Sequence, residues 1–258
     1  MVYRRVVALG SSFAAGPGIP PVLDAAAGRS GANYPHLLAD AFGAELTDLT
    51  VSGATVATIL DQPQRVARST YPPQITGVPE DADLVTVTVG GNDLGYLATM
   101  LRLAWANHLR NRWLTRPLGR RLGQGAVPVR DPDVVVDGLR GIVEAVRTRA
   151  PGARVVLVDY LTVLEENTVL GPEAPFTPAQ RTALRALGRR VCGAFAMAAQ
   201  ATGADLVAAS ELSAGHGVGT AQPWVNGFAA NPRRVPSTFH PNADGMRAVA
   251  DELVRRLA

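Results

Sequence analysis

The chain of 258 residues, 47% of them hydrophobic and 18% charged, is long enough to close a large α/β core, and no low-complexity stretch or charge block marks a linker. Its formal net charge is only +3, all 25 basic residues are arginine, and aromatics are 5%, which argues against a nucleic-acid partner that would need a basic face with interleaved stacking residues. The single cysteine excludes an internal disulfide, and no segment approaches the apolar length of a membrane span.

The chain runs from Met1 through Arg4 and Arg5 into an apolar run too short for a signal-peptide core. The expectation for the chain as written is a cytoplasmic location, with secretion left open for a longer precursor. Residues 5–9 form the first expected strand and open into Gly10-Ser11-Ser12. A Gly/Ser loop there can present a hydroxyl, cradle an anion or merely close a turn. A helix is expected over 34–42. A second strand, 45–50, leads into "TVSGAT" with Gly53, and a third, 84–89, into "VGGNDLGY" with Asn92.

Residues 94–130 form an insert-like stretch mixing Leu, Met and Trp with arginines. It reads either as a long amphipathic helix with a solvated Arg face or as an apolar acyl wall whose arginines meet an anionic head group or interface. The second reading makes Met100, Leu101, Leu103 and Trp105 substrate contacts. A helix over 134–149 buries Val135, Leu139, Ile142, Val143 and Val146 at helical spacing, and a fourth strand follows at 154–159. The helix over 178–202 has visible ends: Thr177 caps it, Pro178 suits its first turn, Gln180 completes a capping box and Gly203 stops it. Within it Cys192 reads as a small apolar side chain. A fifth strand, 205–208, and a last helix, 245–257, complete a chain expected to be one domain over 1–258.

Alternation of this kind predicts a mostly parallel sheet with right-handed crossovers and helices on both faces. Ligands sit at the carboxyl edge of such sheets. Ser12, Gly53 and Asn92 all fall at that edge, and the loop carrying His240 can reach over it. A Ser hydroxyl needs a neighbouring imidazole to take its proton, and the oxyanion that follows needs donors already in place. The backbone N–H groups of Ser12 and Gly53 and the Asn92 amide are such donors.

Gly10-Ser11-Ser12-Phe13-Ala14-Ala15-Gly16, Gly53 in "VSGAT", Gly91-Asn92-Asp93 and His240-Pro241 stand in the order and approximate spacing of the SGNH hydrolases, the GDSL-type esterases and lipases, and "GHGVG", "PWVNGF" and "FHPNADG" look most like actinobacterial members. The resemblance implies a flavodoxin-like three-layer α/β/α sandwich with a five-stranded parallel sheet. It further implies Ser12 as nucleophile, His240 as base, and Ser12, Gly53 and Asn92 as the oxyanion hole. Two positions depart from the family. Ser11 stands where the signature has Asp, and Ser237 stands where the third triad member, Asp, is usual. Some relatives use a Ser/His dyad with a main-chain carbonyl orienting the imidazole, and the resemblance carries that role onto Ser237.

A phosphate loop would need Gly-Lys-Ser/Thr, and the chain has no lysine. His36 reads as an exposed first-turn residue, His108 as a solvated helix residue, and His216 as a loop support or a substrate contact. No metal-ligand spacing appears, so neither metal nor cofactor is expected. The leading function is hydrolysis of small or lipid-like carboxylic esters, with an acyltransferase and a non-catalytic ligand-binding module as alternatives. Interfacial contact stays open, and the sequence is silent on oligomeric state.

Overall fold

The computed structural model describes residues 3–125, 127, 130–231 and 234–258. Its centre is a five-stranded, wholly parallel sheet built from β1 (Arg5–Gly10), β4 (Glu45–Asp48), β7 (Leu84–Thr88), β8 (Arg154–Val158) and β9 (Asp205–Val207), in the order β4-β1-β7-β8-β9. These are the five strands expected from the sequence, most of them ending a residue or two earlier. β7, with its β-branched Val and Thr residues, is buried along its whole length and β1 everywhere except Arg5, as expected of central strands covered on both faces. In this order the chain winds outward from β1 in both directions, so a crevice opens at the carboxyl ends of β1 and β7.

Around the sheet lie α1 (Ser12–Ala15), α2 (Tyr34–Phe42), α3 (Val56–Leu60), α4 (Tyr96–Arg110), α5 (Arg116–Leu122), α6 (Asp133–Arg149), α7 (Pro178–Thr202), α8 (Ala209–Leu212) and α9 (Ala243–Leu257). Helices α2 and α9 pack together in one layer, and α6 packs on α7 and α3 in another. The α7 capping box forms as expected, with the Thr177 side chain accepting from Gln180 N–H and Gly203 closing the helix in the left-handed region. Val135, Leu139, Ile142, Val143 and Val146 of α6 are all buried.

Several elements were not foreseen. Two short antiparallel hairpins, β2 (Val22–Asp24) with β3 (Arg29–Ser30) and β5 (Gln64–Val66) with β6 (Ser69–Tyr71), are too short to show an alternating pattern. The insert-like stretch is not one long helix. It is an antiparallel pair, α4 and α5, broken around residues 111–115. Among the described residues, no helix is long and apolar enough to cross a membrane.

Candidate active site

Ser12 is the first residue of α1, directly after β1, and is 5% exposed. The last residue of β1, Gly10, has lost β4 as a neighbour, and Gln74 takes its place: Gln74 Oε1 accepts Gly10 N–H at 2.8 Å and Gln74 Nε2 donates to Gly10 O at 3.0 Å. Ser11 N–H donates to Thr88 O at 2.9 Å. Ser11 Oγ does not cap α1 but lies 3.2 Å from Tyr160 Oη, which also accepts Gly91 N–H at 3.0 Å. One buried hydroxyl therefore joins the residue before Ser12 to the residue before Asn92. Burial pushes the Tyr160 phenol up to about 12, so it stays a protonated donor throughout the working range.

The donors are set by local geometry. Gly53 sits at φ +84° in the turn where Ala54 N–H reaches back to Val51 O, a conformation that disfavours any Cβ. Gln64 Nε2 braces this turn through Ser52 O at 2.8 Å. Asn92 Nδ2 donates to Ala54 O at 2.8 Å. Because that carbonyl only accepts, the amide nitrogen must face it, which fixes the Asn92 rotamer and leaves its second N–H over. The N–H groups of Ser12 and Gly53 have no acceptor among the described residues.

His240 is 6% exposed and follows Phe239, a fully buried residue at φ +59°. That strained conformation is held by the packing of Phe239 on Phe176 and Phe228 and by its N–H bond to Asn226 O. The turn brings Thr238 O to 3.0 Å from His240 Nδ1. The carbonyl that orients the imidazole is therefore Thr238, not Ser237 as the family resemblance suggested. Ser237 O accepts the backbone N–H of His240 at 3.1 Å, and its hydroxyl turns away to Arg234 O. Burial pushes His240 down to about 4, against a smaller upward pull from the Thr238 carbonyl. Phe13 contributes to that burial, its ring lying between those of Tyr160 and His240.

Ser12, Gly53, Asn92 and His240 line one cleft together with Ser52, Pro17, Pro236 and residues of the β2–β3 hairpin. Its apolar side is Leu97, Ala98 and Leu101 of α4. Of the expected substrate contacts only Leu101 is there. Met100 and Leu103 are buried in the core, and Trp105 packs edge-on against Phe228 at 5.2 Å. The four could not share a wall, because at 100° per residue Met100 and Leu103 point to a different face from Leu101. Leu97, four residues before Leu101, was the readable signal.

The other singled-out residues lie away from the cleft. His216 stacks on Trp224 at 3.8 Å and 6° and bonds Gln222 O, while Trp224 O receives the N–H of Asn242, the cap of α9. It thus supports the loops flanking the His240 segment. His36 is half-buried, not exposed, with Nδ1 2.8 Å from Asn33 Oδ1, and His108 is half-buried against Trp105 and Phe228. Burial raises the Cys192 thiol to about 12, in keeping with an unreactive side chain.

Residues 8–248 match the GDSL-like lipase/acylhydrolase family. "Lipase 2" of Streptomyces coelicolor is 33% identical over 257 residues, covering 95% of this chain and 83% of the relative. Two solved structures share the fold: phospholipase A1 from Streptomyces albidoflavus (TM-score 0.76, 20% identity, 99% of this chain and 100% of that one) and an extracellular lipase from Streptomyces rimosus (TM-score 0.71, 22%, 99% and 100%). With four sequence blocks in order, a parallel sheet that gathers them at one edge, and a match along nearly its full length, this chain belongs to the GDSL-like lipase/acylhydrolase family.

Proposed function

We propose that this carboxylic ester hydrolase works through an acyl-enzyme on Ser12, with His240 as the side-chain base. The observation that carries the reading is the convergence of Ser12, His240 and three N–H donors in one cleft. His240 is neutral in the free enzyme and takes the Ser12 proton as Oγ attacks the ester carbonyl. The carbonyl oxygen, now negative, meets the N–H groups of Ser12 and Gly53 and the second Asn92 N–H. His240 then gives its proton to the leaving alcohol, and a water, deprotonated by the same imidazole, releases the acid. The Thr238 carbonyl fixes the tautomer that places a lone pair toward Ser12, the orienting half of what a triad carboxylate does.

The apolar wall of Leu97 and Leu101 and the lipase names of the relatives support acyl esters of lipid-like alcohols as the substrate class. The test is turnover of a soluble nitrophenyl ester by Ser12→Ala and His240→Ala. Each should lose activity by on the order of a thousandfold or more with an unchanged circular dichroism spectrum. Turnover near the wild-type rate in either variant would overturn the assignment.

A further inference from the structure

Between Asp93 and Asp131 the chain carries seven arginines and no carboxylate. Two of the seven are used internally: Arg102 donates to Leu122 O and Gln124 O at 2.9 and 2.8 Å, and Arg130 donates to Asp93 O. Arg110, Arg112, Arg116, Arg120 and Arg121 are in no ion pair among the described residues. In the same stretch Trp113 is 83% exposed, Leu114 72%, Leu118 52% and Leu122 37%. Helix α5 is not simply loose. At Gly119 a Cβ would lie 2.6 Å from Arg110 N and 2.7 Å from Ala106 O, so α5 sits backbone to backbone on α4. That packing fixes Leu118 and Leu122, four residues apart, as an outward ridge.

We infer that α5 and the turn before it form a docking surface for an anionic phospholipid bilayer. Exposed Trp and Leu among uncompensated arginines is the pattern of an interfacial helix, whose apolar face enters the acyl boundary while the arginines meet phosphate headgroups. Arg102, which holds the carboxyl end of α5, stands on α4, the same helix that supplies Leu97 and Leu101 to the cleft wall. The other module lining the cleft, the β2–β3 hairpin, also exposes large apolar side chains, Val22 at 56% and Leu23 at 58%. The inference rests on the ester-hydrolase reading only for the use it gives the surface. Vesicle binding is measured without turnover, so the two can fail separately.

The experiment is co-sedimentation of the full chain with vesicles of phosphatidylcholine alone or with about one-third phosphatidylglycerol. The wild type should bind the anionic vesicles and be released as salt rises. Arg116→Gln/Arg120→Gln/Arg121→Gln should weaken partitioning roughly a hundredfold at low salt. Trp113→Ser/Leu118→Ser should weaken it about tenfold or more. Both variants should hydrolyse a soluble short ester within about twofold of wild type, which shows that they fold. Equal binding to neutral vesicles, no binding, or variants that bind like wild type would overturn the inference. So would lipid-free self-association abolished by the arginine substitutions, which would make the patch an interface between copies, or tighter retention by duplex DNA than by vesicles.

Discussion

Replacing Tyr160 with Phe removes a single oxygen and leaves the ring packed on Phe13 and Phe195 at 4.6 and 6.0 Å. Two bonds disappear: the one from Gly91 N–H at 3.0 Å and the one shared with Ser11 Oγ at 3.2 Å. The Ser11 hydroxyl can rotate in search of another partner, but the Gly91 N–H is buried and stays orphaned, at a cost of about 1–3 kcal/mol. For a chain of this length a loss of about 2 kcal/mol lowers Tm by roughly 4–8 °C. The same bonds hold the residues next to the nucleophile and next to Asn92, so kcat should fall about tenfold while KM stays within about twofold. Thermal unfolding and initial rates on a soluble ester measure both. A lowered Tm with wild-type kcat would show that Tyr160 serves the fold alone and refute the positioning role.

Asn92→Ala removes one oxyanion donor and should lower kcat by about a hundredfold or more, with a smaller change in KM, in steady-state kinetics. Because burial holds His240 near 4, the imidazole stays a usable base well below the ordinary 6.5, and the acidic limb of kcat/KM should fall near pH 4–5. A limb above neutrality would reveal an unseen carboxylate. The same depression means that the unfolded chain binds a proton between pH 6.5 and 4 that the folded chain does not. Stability should therefore fall across that window by up to about 3 kcal/mol, measured by urea denaturation at its two ends. Ser237→Ala should stay within about tenfold of wild-type kcat, since both carbonyls in the loop survive it. Leu97→Ala/Leu101→Ala should shift preference toward short acyl chains on an ester panel, whereas Met100→Ala should cost about 2–5 kcal/mol of stability with the chain-length profile unchanged.

The strands and long helices were legible because each carries its own pattern: apolar and β-branched runs for buried parallel strands, a 3.6-residue period for α6, and the same period with caps for α7. Of the proposed site residues, Ser12, Gly53 and Asn92 were legible because they follow strand ends, and His240 because its loop before α9 can reach the same edge. Tyr160 also follows a strand end, just after β8, but a Tyr in an apolar run reads as core until its hydroxyl is seen to join two loops. The shift from Ser237 to Thr238 depends on a positive φ at Phe239, and no Phe announces that from its neighbours. The break between α4 and α5, around residues 111–115, precedes Pro117 in the first turn of α5, a boundary signal that the sequence does carry and that the reading of 94–130 as one stretch passed over, and the packing of Gly119 on α4 then sets the antiparallel pair. Reading that stretch as one apolar wall scattered the expected substrate contacts over two helix faces.

The most direct test of the central claim is to treat the protein with a fluorophosphonate ester and locate the adduct by mass spectrometry. Its phosphorus accepts only an activated nucleophile and leaves a stable tetrahedral mimic on the attacking oxygen. The account predicts one adduct, on Ser12, forming far more slowly in His240→Ala. No adduct, an adduct on another side chain, or unchanged labelling in His240→Ala would contradict it.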